Sequence, residues 1–166
     1  MSSSTFVLDA GADMAFKVHP SVVLNVLEHH TRRPKGASRV VGALLSSSTS
    51  GAVEITNSFP VALVEGADET SVKEEQLTAL KALYSAADDS EVIVGWYSTG
   101  SQLDVASSQL HTVFSQHADH APCVHLLVDT SLEAAALPVR AFTASPVAKL
   151  SDSSSAVLLD CFRETQ

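Results

Sequence analysis

The chain has 166 residues, 45% of them apolar and 17% charged, with a net charge of −9. That length predicts one domain burying about two-thirds of its unfolded surface, and the composition excludes a disordered chain. The acidic balance excludes general affinity for polyanions, so strong nucleic-acid binding is not expected.

In chain order, MSSSTFVLDAGADMAF has no basic n-region and carries Asp9 and Asp13. It does not fit a secretory signal, and residues 1–15 are expected to be an N-terminal tail. No apolar run approaches the ~20 residues a membrane helix needs. His19-Pro20-Ser21 opens a helix with Pro20 in its first turn, and Val22, Val23, Val26, Leu27 and His30 share one stripe. Arg32-Arg33-Pro34-Lys35 is a basic run of the kind usually found on a solvated turn. Gly36 interrupts, residues 39–45 predict a buried strand, and serine-rich 46–51 a turn. Val53, Ile55 and Asn57 alternate with polar residues as a half-buried hairpin partner.

An acidic loop, EGADET, comes next. Ser71-Val72-Lys73-Glu74 has capping-box spacing ahead of a helix with Leu77, Leu80, Leu83 and Tyr84 on its apolar face. Residues 91–97 predict a strand. Ala106, Leu110, Val113, Phe114 and His117 mark a further amphipathic helix, and strands follow at 124–129, 139–144 and 156–161. The predicted fold class is α/β (α+β), a mixed sheet flanked by about three helices. Cys123 and Cys161, both in apolar strand-like contexts, are expected to be buried reduced thiols.

The stretch GWYSTG, residues 95–100, carries a strand into a small-residue turn, a place suited to chemistry. A hydrolytic zinc there would need two histidines one residue apart and an acid farther along the next helix, with a fourth position left for water. Those positions hold Ser98, Gly100 and His111, and Gly100 has no side chain. His111, His117, His120, Cys123 and His125, with Asp119, crowd together nearby. They lack C-x₂-C or H-x₃-H spacing, so surface and helix-end histidines are the preferred reading. Ser98 or Ser108 with His111 and Asp104 or Asp129 would make a hydrolase triad, but no G-x-S-x-G elbow accompanies them. Asp129-Thr130-Ser131 reads as a turn cap and Trp96 as core.

VHPSVVLNVLEHH, RVVGALL, VEITNSFPV, VGWYSTG and VHLLVDTSL occur in that order. In these segments the chain resembles the MPN domain family, the fold of the JAMM metalloproteases, over residues 16–145. The resemblance implies a single MPN domain over 16–166, with the C-terminal helices that follow it in the family absent from this chain. Active members carry Glu on the first strand, then His-x-His, seven residues, Ser, two residues, Asp. Carried over, these positions are Arg39, Ser98, Gly100, Ser108 and His111, and only the serine is kept. The resemblance therefore implies the non-catalytic branch, with no metal, no cofactor and no enzymatic activity.

Within that branch, His111 and residues 124–132 are most similar to the f-type MPN members of eukaryotic translation initiation factor 3. GWYSTG alone would equally fit proteasome-lid or signalosome members. The implied role is a cytoplasmic scaffold supporting the 43S pre-initiation complex on the small ribosomal subunit, paired with a second MPN subunit, subunit h. Val22, Val23, Val26 and Leu27 are the candidate partner-helix surface, although ordinary core explains the same stripe. The alternative from another class is a hydrolase with an unrecognised site.

Overall fold

The computed structural model describes residues 6–10, 14–47, 53–120, 122–131, 133, 138–146 and 160–165. Pro20 has no N–H to leave unpaired and a φ already suited to helix, and it starts α1 (Pro20–Thr31) directly after extended His19. Val22, Val23 and Val26 are 0%, 6% and 0% exposed, packed with Phe16, Leu44, Ile55, Tyr97 and Leu126. Leu27 is half-buried against the same cluster. Val22, Val23 and Val26 are therefore core rather than a partner surface, because the sheet beneath α1 buries them, and Leu27 is covered in part.

That sheet has eight strands: β1 (Phe6–Ala10), β2 (Met14–Val18), β3 (Val41–Ser46), β4 (Val53–Val61), β7 (Val92–Thr99), β8 (Val124–Val128), β9 (Val139–Pro146) and β10 (Asp160–Thr165). Their order is β1-β2-β4-β3-β7-β8-β9-β10. A short hairpin of β5 (Leu63–Glu65) and β6 (Thr70–Val72) stands apart, with EGADET at its tip. β7 and β8 run parallel, which requires a crossover, and α3 (Val105–His117) supplies it. α2 (Glu74–Ala87) and α3 cover the face opposite α1, where Leu77, Leu110 and Phe114 meet Phe59, Ile93 and Trp96. The result is three layers, helix on sheet on helices.

One irregularity decides which β7 side chains face α3. Leu44 pairs with Gly95 but Leu45 with Ile93, so Val94 is skipped as a bulge. Strict alternation would put Ile93 and Trp96 on opposite faces; the extra residue brings both onto the α3 side. Gly95 is required there, because a Cβ would lie 2.1 Å from the Val124 carbonyl oxygen.

Several expectations change. Residues 6–10 and 14–18 are sheet strands, so residues 1–15 are not simply a tail. The Ser71 capping box does not form, since Ser71 belongs to β6 and Lys73 precedes α2 without a side-chain cap. Leu83 is 66% exposed rather than on the apolar face. The last strand spans 160–165, and residues 156–159 lie outside the described residues.

Candidate functional site

The motif positions converge between β7, β8 and the start of α3. Trp96 and His125 are paired in the parallel register, and their rings stack 3.7 Å apart with planes 2° from parallel. The same indole stacks on Phe114 at 5.3 Å. Trp96 Nε1 donates to His111 Nδ1 at 3.0 Å, which places the neutral His111 proton on Nε2. Ser98 Oγ lies 2.8 Å from His125 Nε2. All five residues are buried. Burial, and secondarily His111 nearby, pushes the His125 imidazole down to about 3, so it is neutral at physiological pH.

Arg39 closes the mouth of this cluster. Its guanidinium donates to both carboxylate oxygens of Asp104, one contact at 3.1 Å. Asp104 is the N-cap of α3, where it accepts from the Ser107 backbone N–H at 2.8 Å and Ser107 Oγ accepts from the Asp104 N–H. Hydrogen bonding from Arg39, then from Ser107, holds the Asp104 carboxyl down to about 2. A guanidinium only donates, so nothing at position 39 can take a proton from water.

A zinc ion does not fit these residues. Ser98 is engaged with His125, Gly100 has no side chain, and one His111 nitrogen accepts the indole N–H. Gly100 also sits at φ +150°, where a histidine would be strained. The Ser108 backbone carbonyl accepts from Thr112 within α3.

The other constellations disperse. Ser98 meets His125 rather than His111, Asp104 is taken by Arg39, and Asp129 caps the Ser131 N–H at 2.9 Å. Asp119 pairs with Lys81 and accepts from the Ile93 N–H, while His117 lies 3.6 Å from Glu74. Burial raises the free Cys123 thiol to about 11; the Cys161 side chain lies outside the described residues. Among the described residues no three His, Cys, Asp or Glu side chains gather as metal ligands. His111 and His125 are interior, not surface or helix-end residues, and pairing of His125 with Ser98 was not foreseen. Alternation within VHLLV separates His125 from Val124 and Leu126; only the β7–β8 register adds that it meets Trp96.

On the opposite face, the end of α1 is tied to β7 by two further histidines. His29 Nδ1 lies 2.8 Å from Tyr97 Oη, and His30 bridges Thr99 and Thr130 at 3.1 Å each. Partial burial lowers both imidazoles, helped by His30 beside His29 and by Arg33 beside His30.

Residues 13–120 match the family described as JAB1/Mov34/MPN/PAD-1 ubiquitin protease. Similar proteins, each named as the F subunit of eukaryotic translation initiation factor 3, occur in Dictyostelium discoideum, Aedes aegypti and Arabidopsis thaliana. They are 32%, 34% and 34% identical over 133, 130 and 145 residues. These matches cover 80%, 78% and 87% of this chain but 46%, 45% and 47% of the relatives, so the chain spans about half their length. A protein from Desulfitobacterium hafniense, solved in solution, shares the fold with a TM-score of 0.50 at 15% identity, over 76% of this chain and 82% of that one. No helix among the described residues is long and apolar enough to cross a membrane. With its three-layer fold and this match over most of its length, the chain belongs to the JAB1/Mov34/MPN/PAD-1 family.

Proposed function

We propose that the chain is a non-catalytic MPN scaffold subunit of eukaryotic translation initiation factor 3. It works in the cytoplasm, supporting assembly of the 43S pre-initiation complex on the small ribosomal subunit. One observation carries the non-catalytic reading: Arg39, Ser98 and His111 occupy the motif positions and are bonded to Asp104, His125 and Trp96. The choice of complex is supported by the relatives named as its F subunit. The test is zinc content together with isopeptide cleavage of ubiquitin chains. Near-stoichiometric zinc, lost on mutating His111, or any cleavage would overturn it.

The same reading pairs the chain with a second MPN subunit, subunit h. The valines of α1 are spent on the core, so the helix would meet its partner through its outer side, where Leu24 is 64% exposed. Leu24→Glu should leave the fold intact and abolish co-purification of subunit h. A folded variant that still retains subunit h would place the pairing elsewhere, and co-purified lid or signalosome subunits would reassign the complex.

A further inference from the structure

Beside the C-terminal end of α1 and the end of β4, two clefts of about 340 and 330 Å³ adjoin, lined from α1 by His29 and from α2 by Gln76 and Tyr84. His29 and Pro60 line both, so the two are halves of one trench, reaching from Tyr84 and Tyr97 across Pro60 to Leu63 and Arg39. Its wall includes Ser58, only 6% exposed, whose Oγ has no hydrogen-bond partner among the described residues. Buried hydroxyls are normally paired, and a rotamer change would turn this one into the cleft to meet a partner.

The basic run borders this trench. Arg32 lines one half and Pro34 the other, with Arg33 and Lys35 exposed beside them. Arg33 donates to the carbonyls of His30 and Ala37, neutral acceptors that leave its charge uncompensated. In a chain of net charge −9 this rim reverses the average field. The trench's own carboxylates are Glu28, paired with Arg32 at 2.8 Å, and Glu65; Arg39 is held by Asp104.

We infer that this trench docks an extended acidic segment of a partner protein. Its carboxylates meet Arg33 and Lys35, its apolar side chains cover Pro60 and Tyr84, and one of its polar groups completes Ser58 Oγ after a rotamer change. Recognition runs through side chains rather than strand addition. Pro60 has no N–H to offer, and the Ser58 N–H is taken by Asn57 Oδ1 at 2.9 Å. A polyphosphate backbone fits less well, because it is charged at every unit and brings no aliphatic side chains to cover Pro60. The inference is independent of which complex the chain serves.

The test is fluorescence anisotropy on the whole chain with three labelled probes: a peptide alternating Asp with aliphatic residues, the same peptide with Lys for Asp, and an oligouridine. The acidic peptide should bind, and the double variant Arg33→Gln/Lys35→Gln should weaken it by about tenfold, as should raised salt. Both substitutions are on exposed side chains, and circular dichroism confirms that the variant is folded. Ser58→Ala should weaken it less, and amide resonances of Asn25, Ser58 and Tyr84 should shift on titration. No binding of the acidic peptide, equal binding of the lysine peptide, preference for oligouridine, or shifts confined outside the trench would overturn the proposal.

Discussion

The two faces of β7 bury histidines in opposite ways. On the α3 face, His111 and His125 are 3% and 0% exposed and lie against an indole N–H, a serine hydroxyl and a stacked ring inside the protein. On the α1 face, His29 and His30 sit at the rim, bonded to hydroxyls of Tyr97, Thr99 and Thr130, and His29 borders open cleft. Both imidazoles are removed from water, so the first face is closed. A rim group keeps water as an alternative partner and is free to exchange it for a ligand. Ser98 and His111 lie on the closed face; Arg39, at its mouth, also lines the cleft that His29 borders.

The sharpest way to break this comparison is to truncate one aromatic side chain on each face. Trp96→Ala deletes a fully buried indole and leaves the His111 and His125 contacts unmade, and should destabilise the chain by about 3–5 kcal/mol in urea unfolding. Tyr97→Phe removes only the hydroxyl bonded to His29, and should cost about 1 kcal/mol. Equal losses would mean that the Trp96 cluster is not the packed centre described.

Acid should separate the faces next. His125 is pushed from 6.5 to about 3, so the native state binds fewer protons than the unfolded chain in between. Stability is then full above 6.5 and falls as pH drops toward 3, by up to about 1.4 kcal/mol per pH unit. His29 and His30 are lowered too and act in the same direction. Asp104 adds its loss only below 3.8, as pH falls toward its folded value of about 2. His125→Gln should flatten most of the slope between 6.5 and 3.8. An unchanged slope would assign the acid sensitivity to the rim histidines.

A smaller effect is expected at the mouth of the closed face. Arg39→Glu restores the acid that active relatives carry, but sets it against Asp104. It should destabilise by about 1 kcal/mol, a modest figure because the pair is partly exposed, and should confer neither zinc binding nor isopeptide cleavage. The smallest effect belongs to the outer side of α1, where Leu24→Glu should change stability by within about 0.5 kcal/mol. A large loss there would show that Leu24 is packed after all.

Most elements were legible in local pattern. Pro20 and the valine stripe announce α1, the alternation around Val53 and Ile55 announces β4, and the spacing of Ala106, Leu110, Val113 and Phe114 announces α3. The residues at 39, 98, 100 and 111 were also legible, once the family resemblance set which positions to compare. The β5–β6 hairpin was hidden, since three-residue strands carry too little period to separate from an acidic loop. The N-terminal strands were hidden too, because β1 and β2 gain strand character from pairing with each other and with β4.

What the sequence determined by itself, then, was the three helices, the central strands and which residues stand at the motif positions. The tertiary structure alone decided what those residues meet. The Val94 bulge turns Trp96 toward α3, and parallel pairing with β8 brings His125 against it. Burial of the α1 valines likewise became visible only once the sheet beneath them was assembled. Periodicity states which residues share a face, but the neighbour that face meets is set by strand register between distant segments, and a one-residue slip reverses it.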